Sequence, residues 1–419
     1  MDFKKIVRYS KVTDRLLLRQ SYTISLTIFA FNCIFLFPNH QSTMKHCLFI
    51  LLLTGLLLGN ATAQGPIEND LLKLMQQYQA IGLSVAVVKD NKIIYNKSFG
   101  YKNSNDKTII QNTDIFRIAS ISKSFTATSL MQLVEAGKLS LDDEVSKLTG
   151  FKVNNPKYPD VPITLRMILS HTSSINDKNG YFSLDAINPG KNPNWAQCYN
   201  DYKPGEGYQY CNLNFNLAGS ILEKFSGEQF DQYVKNHILK PLNLYGGYNV
   251  DSLDRNRLVP LYEFNDSTKI FEAAPAAYAS PKAKLANYTR GYNTPVFSPT
   301  GGMKISALDL AKYMMMHMNY GSSNGVQIIS EASSRTMQTK LSDKENYGLA
   351  LWSTNQLIDG ITMTGHTGSA YGLYSIMFFQ PEQKFGFVAI TNGCIPRYKK
   401  STVALLYDAV NTLYNGMVK

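Results

Sequence analysis

Residues 82–89 read GLSVAVVK and residues 92–99 read KIIYNKSF, two runs rich in apolar and β-branched side chains with only Asp90-Asn91 between them. Such runs, joined by two residues that tolerate a left-handed backbone, predict two strands in a tight hairpin. Near the other end, residues 347–353, 371–380 and 385–391 read as three more strands, the last two linked by the turn Pro381-Glu382-Gln383-Lys384. Helical spacing of apolar residues flanks them at 67–79 and 402–414. A hairpin at one end, a meander at the other and helices outside predict an α+β fold. Its antiparallel sheet of five or more strands is assembled from both ends of the chain and flanked by N- and C-terminal helices.

Between these ends, residues of about 141–300 are rich in Asn, Pro, Tyr and Gly, with helical pieces at 164–170 and 213–225 and few strand signals. This stretch reads as a mainly helical insertion within one domain spanning 64–419. The cleft between insertion and sheet is the natural place for a small-molecule site. A further helix is predicted from Ser120, where Ala127, Leu130, Met131 and Val134 recur at helical spacing and Gly137 supplies a stop. That pattern predicts an amphipathic helix with one face toward a core.

Composition narrows the class. The chain has 419 residues, 44% of them hydrophobic and 17% charged, enough for a substantial core. Its formal charge of +11 includes a basic leader, since residues 1–63 carry seven Lys or Arg and two Asp or Glu, which leaves the remainder at +6. The remaining basic residues are scattered and form no aromatic-interleaved patch, which argues against a nucleic-acid partner.

The leader itself holds MKHCLFILLLTGLLLGNATAQ from Met44: a basic head, a short apolar run and small residues before Gln64. This order is that of a secretory signal peptide at 44–63 cleaved after Ala63, so the body is expected to be exported, periplasmic or secreted. The apolar run 22–37 ahead of it has two readings: Met1 is a mis-assigned start, or this run is a membrane anchor, the one case in which a membrane partner is expected. Cys47 precedes the apolar run, which does not support lipid attachment. Three cysteines follow the leader, Cys198, Cys211 and Cys394, an odd number without a CxxC pair. That argues against a disulfide framework or structural zinc, and leaves pairing of Cys198 with Cys211 open.

Ser-x-x-Lys occurs at Ser42/Lys45, Ser104/Lys107 and Ser120/Lys123. The first lies in the leader and the second in the polar loop NSNDK, whereas Ser120 opens a helix. At a helix N-terminus, free N–H groups favour a developing negative charge. A lysine three residues on shares the helix face, and if desolvated it can take a proton near neutral pH. The competing reading is a serine cap with a solvent-facing lysine. An acyl-transfer site would need further groups, and Tyr210 and Asn212 after Pro204-Gly205-Glu206-Gly207, with Gly365-His366-Thr367-Gly368-Ser369 at the sheet end, are candidates.

In the order SISK, YCN and HTG, supported by FRIASISKSFTA, ITLRMILSHTSSI and SPTGGMKISALDLAKYM, the chain resembles the serine β-lactamase and penicillin-binding superfamily. The resemblance is to the branch with class C β-lactamases and D-alanyl-D-alanine carboxypeptidases, and covers about 82–391. It implies a β-lactamase/transpeptidase-like fold and no metal or cofactor. It also implies Ser120 as acylated nucleophile, Lys123 as its activating partner and Tyr210 as the proton-exchanging phenol. Asn212 would hold the acyl-side amide, the N–H groups of Ser120 and Ser369 would form the oxyanion hole, and His366, Thr367 and Gly368 would line the substrate site.

Two departures matter. His366 stands where dedicated β-lactamases usually carry lysine, and an imidazole is only partly charged near pH 7. Cys211, in the middle of YCN, reads as packing. His171 reads as structural, with no partner pattern for a Ser-His-Asp triad, and Gly301-Gly302-Met303 as a turn beside the cleft. The leading expectation is an exported serine hydrolase acting on D-alanyl or D-amino-acid peptides, small esters or β-lactams. The alternatives are a class C-like β-lactamase and a non-catalytic module that binds penicillin or wall peptides. Oligomeric state is left open.

Overall fold

The computed structural model describes residues 65–342 and 344–419, so the leader, its signal-peptide and anchor readings and the Ser42/Lys45 pair lie outside the described residues. Within Pro66–Lys419, the helices that matter for the site are α1 (Pro66–Gln77), α2 (Ser122–Glu135), α3 (Asn212–Ser226), α4 (Ala307–Met318) and α5 (Ala404–Leu413). The strands are β1 (Gly82–Lys89), β2 (Lys92–Gly100), β3 (Trp352–Ile358), β4 (Ile361–Ala370), β5 (Leu373–Gln380) and β6 (Phe385–Thr391). They form one antiparallel sheet in the order β3-β4-β5-β6-β1-β2. The register Leu83↔Thr391 to Lys89↔Phe385 joins the two ends of the chain, as expected.

Both faces of this sheet are covered. Leu83, Val85 and Val87 point into a core shared with α1 and α5, while Ala86 and Val88 point into the larger core beneath α4 and the insertion. Period-2 alternation therefore reads as a continuous apolar run. Each large side chain so buried contributes roughly 1.5–3 kcal/mol. At the hairpin tip Asp90 and Asn91 both adopt positive φ, 51° and 60°, as a twist-compatible two-residue turn requires.

Three local expectations are corrected. The strand read at 347–353 begins instead at Trp352, because Tyr347, Leu349, Ala350 and Leu351 are buried on irregular backbone with Ala350 at φ 57°. Strand β4, ITMTGHTGSA, was not anticipated, since its Thr, Gly and Ser content hides it, and β5 accordingly starts at Leu373 rather than 371. Helix α2 is buried on nearly every side rather than along one stripe, with Ser122, Ser124, Thr126, Thr128 and Ser129 all inaccessible. Those hydroxyls are tolerated because they are satisfied: Ser124 Oγ donates to Ile121 O (2.8 Å), Ser129 Oγ to Phe125 O (2.9 Å) and Thr126 Oγ1 to Pro299 O (2.9 Å).

The insertion at 141–300 contains α3 and short helices such as Leu165–Leu169, capped by Thr164, with an unanticipated small hairpin at Tyr262–Asn265 and Ile270–Ala273. Cys198, Cys211 and Cys394 are free and buried, so Cys198 and Cys211 are not bonded to each other. Cys198 Sγ donates to Ala186 O (3.4 Å) and Cys211 Sγ to Asp177 (3.2 Å). Among the described residues no helix is long and apolar enough to cross a membrane.

Candidate active site

Ser120 lies in the 3₁₀ turn Ala119–Ile121, immediately before α2. The residue before the turn is held from two sides. Ile118 N–H donates to Met303 O (3.0 Å), Ser375 Oγ donates to Ile118 O (3.0 Å), and Ala119 sits at φ 47°, a strained value for a residue with a Cβ. Strand β4 passes so close that a Cβ on Gly368 would stand 2.2 Å from Ile118 O and 2.4 Å from Ser375 Oγ. Gly368→Ala should therefore push β4 away from the Ser120 turn. The expected result is a loss of roughly 10- to 100-fold in kcat/KM on an activated ester and about 1–3 kcal/mol of stability in urea unfolding.

Lys123, the second residue of the buried helix, is fully inaccessible. Its Nζ contacts Ser120 Oγ (3.2 Å), Asn212 Oδ1 (2.9 Å) and Thr300 O (2.9 Å), and lies 4.8 Å from the Tyr210 ring centroid. Burial pulls its pKa down to about 7, against an opposing influence of Asp177. The partners fix the direction of proton flow. Asn212 Oδ1 and Thr300 O can only accept, so when the amine is neutral its lone pair is left to Ser120, the one partner with a proton to give. The solvent-facing reading of this lysine is thereby ruled out by geometry.

Tyr210 packs against His171 with the rings tilted by 39° and their centroids 4.3 Å apart, at the end of a loop tied down by Gln209 N–H to His171 O (3.0 Å) and Gly205 N–H to Thr172 O (2.8 Å). Its hydroxyl is buried without a well-aligned hydrogen bond; burial pushes its pKa up and Ser120 partly opposes the rise. It is a neutral phenol at pH 7, able to donate a proton. His171 is structural, as expected: Nδ1 accepts from Cys211 N–H (3.2 Å), and burial holds the imidazole neutral.

The residue that sequence reasoning missed is Asp177. Its carboxylate accepts from Asn212 N–H (2.8 Å), Leu213 N–H (2.9 Å) and Asn212 Nδ2 (3.0 Å). It thus occupies the start of α3, where no side chain of that helix's own N-cap serves, and orients Asn212 so that Oδ1 faces Lys123. Lying in the turn NDKNG, it carries no sequence signal that it serves a helix 35 residues on. Asp177→Ala should cost about 1–2 kcal/mol of stability and lower the rate of acylation by roughly tenfold, measured by denaturation and stopped-flow on the same preparation.

With this geometry in place, the comparisons are specific: the profile described as Beta-lactamase matches residues 67–407. The chain belongs to the Beta-lactamase family. The match begins inside α1 and ends inside α5, so it takes in the whole sheet and the insertion. Protein flp of Staphylococcus aureus (strain COL) is 26% identical over 333 residues, 78% of this chain and 61% of that protein. The chain thus spans about 61% of the length of this curated relative. The octameric penicillin-binding protein homologue from Pyrococcus abyssi superposes with a TM-score of 0.65 at 27% identity, covering 82% of this chain and 76% of that one. D-amino acid amidase from Ochrobactrum anthropi SV3 shares the fold, TM-score 0.63 at 18% identity, over 84% and 99% of the two chains.

The family's third motif is carried by β4. Past Gly365, which pairs with Trp352, no strand joins β4 on the β3 side among the described residues, so His366–Ala370 borders an open cleft. That cleft, about 470 Å³, is lined by Ser120, Tyr208, Tyr210, His366, Thr367 and Ser369 together with Glu345 and Trp352. His366 departs further from a lysine than the sequence suggested. Its Nδ1 donates to Thr367 O (2.5 Å) and its Nε2 accepts from Tyr347 Oη (3.0 Å), while burial and the nearby Lys123 hold its pKa down at about 3. The imidazole is neutral, not partly charged, at pH 7. Among the described residues the cleft has no cationic lining residue and one acidic one, Glu345.

Proposed function

We propose that this protein is an exported serine hydrolase working through an acyl-enzyme at Ser120. Ser120 passes its proton to the neutral Lys123 amine as Oγ bonds to the substrate carbonyl carbon, and the N–H groups of Ser120 and Ser369 receive the oxyanion. Collapse breaks the bond to the leaving group, which takes its proton from Tyr210, and Tyr210 is reprotonated from Lys123. Water then attacks the ester, Lys123 accepts a proton from it, and Ser120 is released protonated. Asn212 retains one Nδ2 hydrogen for a carbonyl of the acyl half. The observation that carries this reading is the inaccessible Lys123 amine 3.2 Å from Ser120 Oγ.

The substrate class follows from charge. A D-alanine leaving group and a β-lactam both bring a carboxylate, and a cleft with a neutral His366 and Glu345 offers it no fixed cation. This favours esters and amides with uncharged leaving groups, including D-amino-acid amides such as the Ochrobactrum enzyme's name describes, over a class C-like β-lactamase. Incubation with an activated 4-nitrophenyl ester, a D-amino-acid amide and a fluorescent penicillin tests it. The reading predicts turnover of the first two and slow or persistent labelling by the third. Rapid β-lactam hydrolysis with no ester turnover would reverse the order, and no turnover or adduct with any of them would leave a binding module. Export rests on the composition of residues 44–63, and recovery of mature protein starting at Gln64 outside the cytoplasm checks it.

A further inference from the structure

A second cavity, about 220 Å³, shares no lining residue with the Ser120 cleft, yet the same two segments border both. Ser120 lines the cleft and Arg117 the cavity; Ser369 lines the cleft and Tyr371 the cavity. Among the described residues its charged lining residues are Arg117, Lys284 and Lys304, and no carboxylate lines it.

Arg117 and Lys304 are register partners across the short antiparallel pair Phe116–Arg117 and Lys304–Ile305, an arrangement that is unfavourable for like charges. Lys304 Nζ donates to Tyr248 O (2.5 Å) and is buried. Arg117 Nη1 donates to Ala277 O (3.1 Å), its guanidinium lies 5.0 Å from the Tyr371 ring, and its Nε is buried with no partner. Among the described residues neither side chain forms an ion pair, and since burial pulls Lys304 down to about 7, Arg117 is the fixed positive charge of the two. A half-buried guanidinium cannot shed its proton, so leaving its buried Nε without a partner is costly and an anion in the cavity would relieve that cost.

The cavity also lies on a definite side of the reaction. Asn216, one helical turn beyond Asn212 on α3, lines it, and Asn212 is the residue assigned to the acyl half. A Cβ on Gly301 would be 3.7 Å from both Arg117 Nη2 and Ala119 C, so guanidinium and nucleophile turn flank the same glycine. Three residues separate Arg117 from Ser120, which limits their Cα atoms to about 11 Å, a gap that a short dicarboxylic acyl chain can bridge.

We propose that this cavity is a carboxylate-binding subsite for the acyl half of the substrate, so that preferred acyl donors carry a free carboxylate docked against Arg117 and Lys304. The assignment rests on the acyl-enzyme reading of Ser120, and complements a leaving-group cleft without cations. Two arms test it. In the first, mono-(4-nitrophenyl) adipate is compared with 4-nitrophenyl hexanoate, which has the same chain length and no acid. The expected ratio of kcat/KM favours the adipate by at least about tenfold, the scale of a charge-assisted hydrogen bond. Arg117→Gln and Lys304→Met should each bring the ratio toward one.

In the second arm, free adipate is titrated against the Ser120→Ala protein in a thermal melt. A saturable rise in Tm that Lys304→Met removes supports the subsite whether or not any ester is turned over. Absence of that rise overturns it even if Arg117→Gln fails to fold. A saturable rise combined with equal turnover of both esters also overturns the acyl-donor assignment. Failure of the wild type to hydrolyse either ester would sink the hydrolase reading alone, and the melt would still decide the cavity.

Discussion

Ser120→Ala is expected to reduce ester turnover by roughly 10⁴-fold or more while leaving the fold intact, because it removes the atom that forms the covalent bond and little else. Ser120 Oγ has one side-chain partner of good geometry, Lys123 Nζ. Its turn is held instead by backbone and by Ser375, through the Ile118 contacts to Met303 and Ser375. Steady-state kinetics beside near-ultraviolet circular dichroism checks both halves. A variant that keeps more than about a hundredth of wild-type turnover would mean that another group is the nucleophile.

Lys123→Met is expected to be nearly as damaging, roughly 10³-fold or more in the rate of acylation, for a different reason. The hydroxyl remains but has lost its proton acceptor, and the neighbouring rings are poor substitutes: burial makes His366 and His171 weak bases whose free nitrogens already accept hydrogen bonds, and Tyr210 is a phenol. Stability should change little. Methionine has a similar volume and removes the desolvation cost of the amine, and it leaves Thr300 O without its lysine donor, two opposing effects of about 1–3 kcal/mol.

The pH dependence carries the sign. An unfolded lysine titrates near 10.4, and burial brings Lys123 to about 7, so between those values the unfolded chain binds a proton that the folded one refuses. This group's contribution to stability therefore rises with pH from about 7 toward 10.5 and is least below 7. Acylation, which uses the neutral amine, should also rise through about pH 7 and then level. Lys123→Met should flatten the stability component, measured by urea unfolding at pH 6, 8 and 9.5.

What was legible in the sequence was whatever local spacing encodes. The hairpin at Asp90-Asn91 was visible because two positive-φ positions between apolar runs admit few other structures. SISK, YCN and HTG were visible because each motif keeps its residues on one turn or one strand. What escaped depends on distant partners. Strand β4 looks like a loop because its glycines serve close approach, Gly368 to Ile118 and Gly365 to Met377, rather than apolar packing. Helix α2 looked amphipathic because polar side chains were assigned to water, whereas its hydroxyls are satisfied within the protein. Asp177 gains its meaning from a helix 35 residues further on within the insertion, and the Arg117/Lys304 pair from two segments that lie on either side of the insertion in sequence. His366 looked half-charged because neither its burial nor the nearby Lys123 can be read from HTG alone.

The central claim is that a desolvated Lys123 takes the Ser120 proton. Rapid-quench mass spectrometry of the acyl adduct, run with a 4-nitrophenyl ester across pH 5.5 to 9, measures it most directly. The account predicts one acyl group on the peptide containing Ser120, formed at a rate that climbs through a single ionisation near pH 7 and is lost in Lys123→Met. An adduct on another residue, or acylation of Ser120 at an undiminished rate in Lys123→Met, would contradict it.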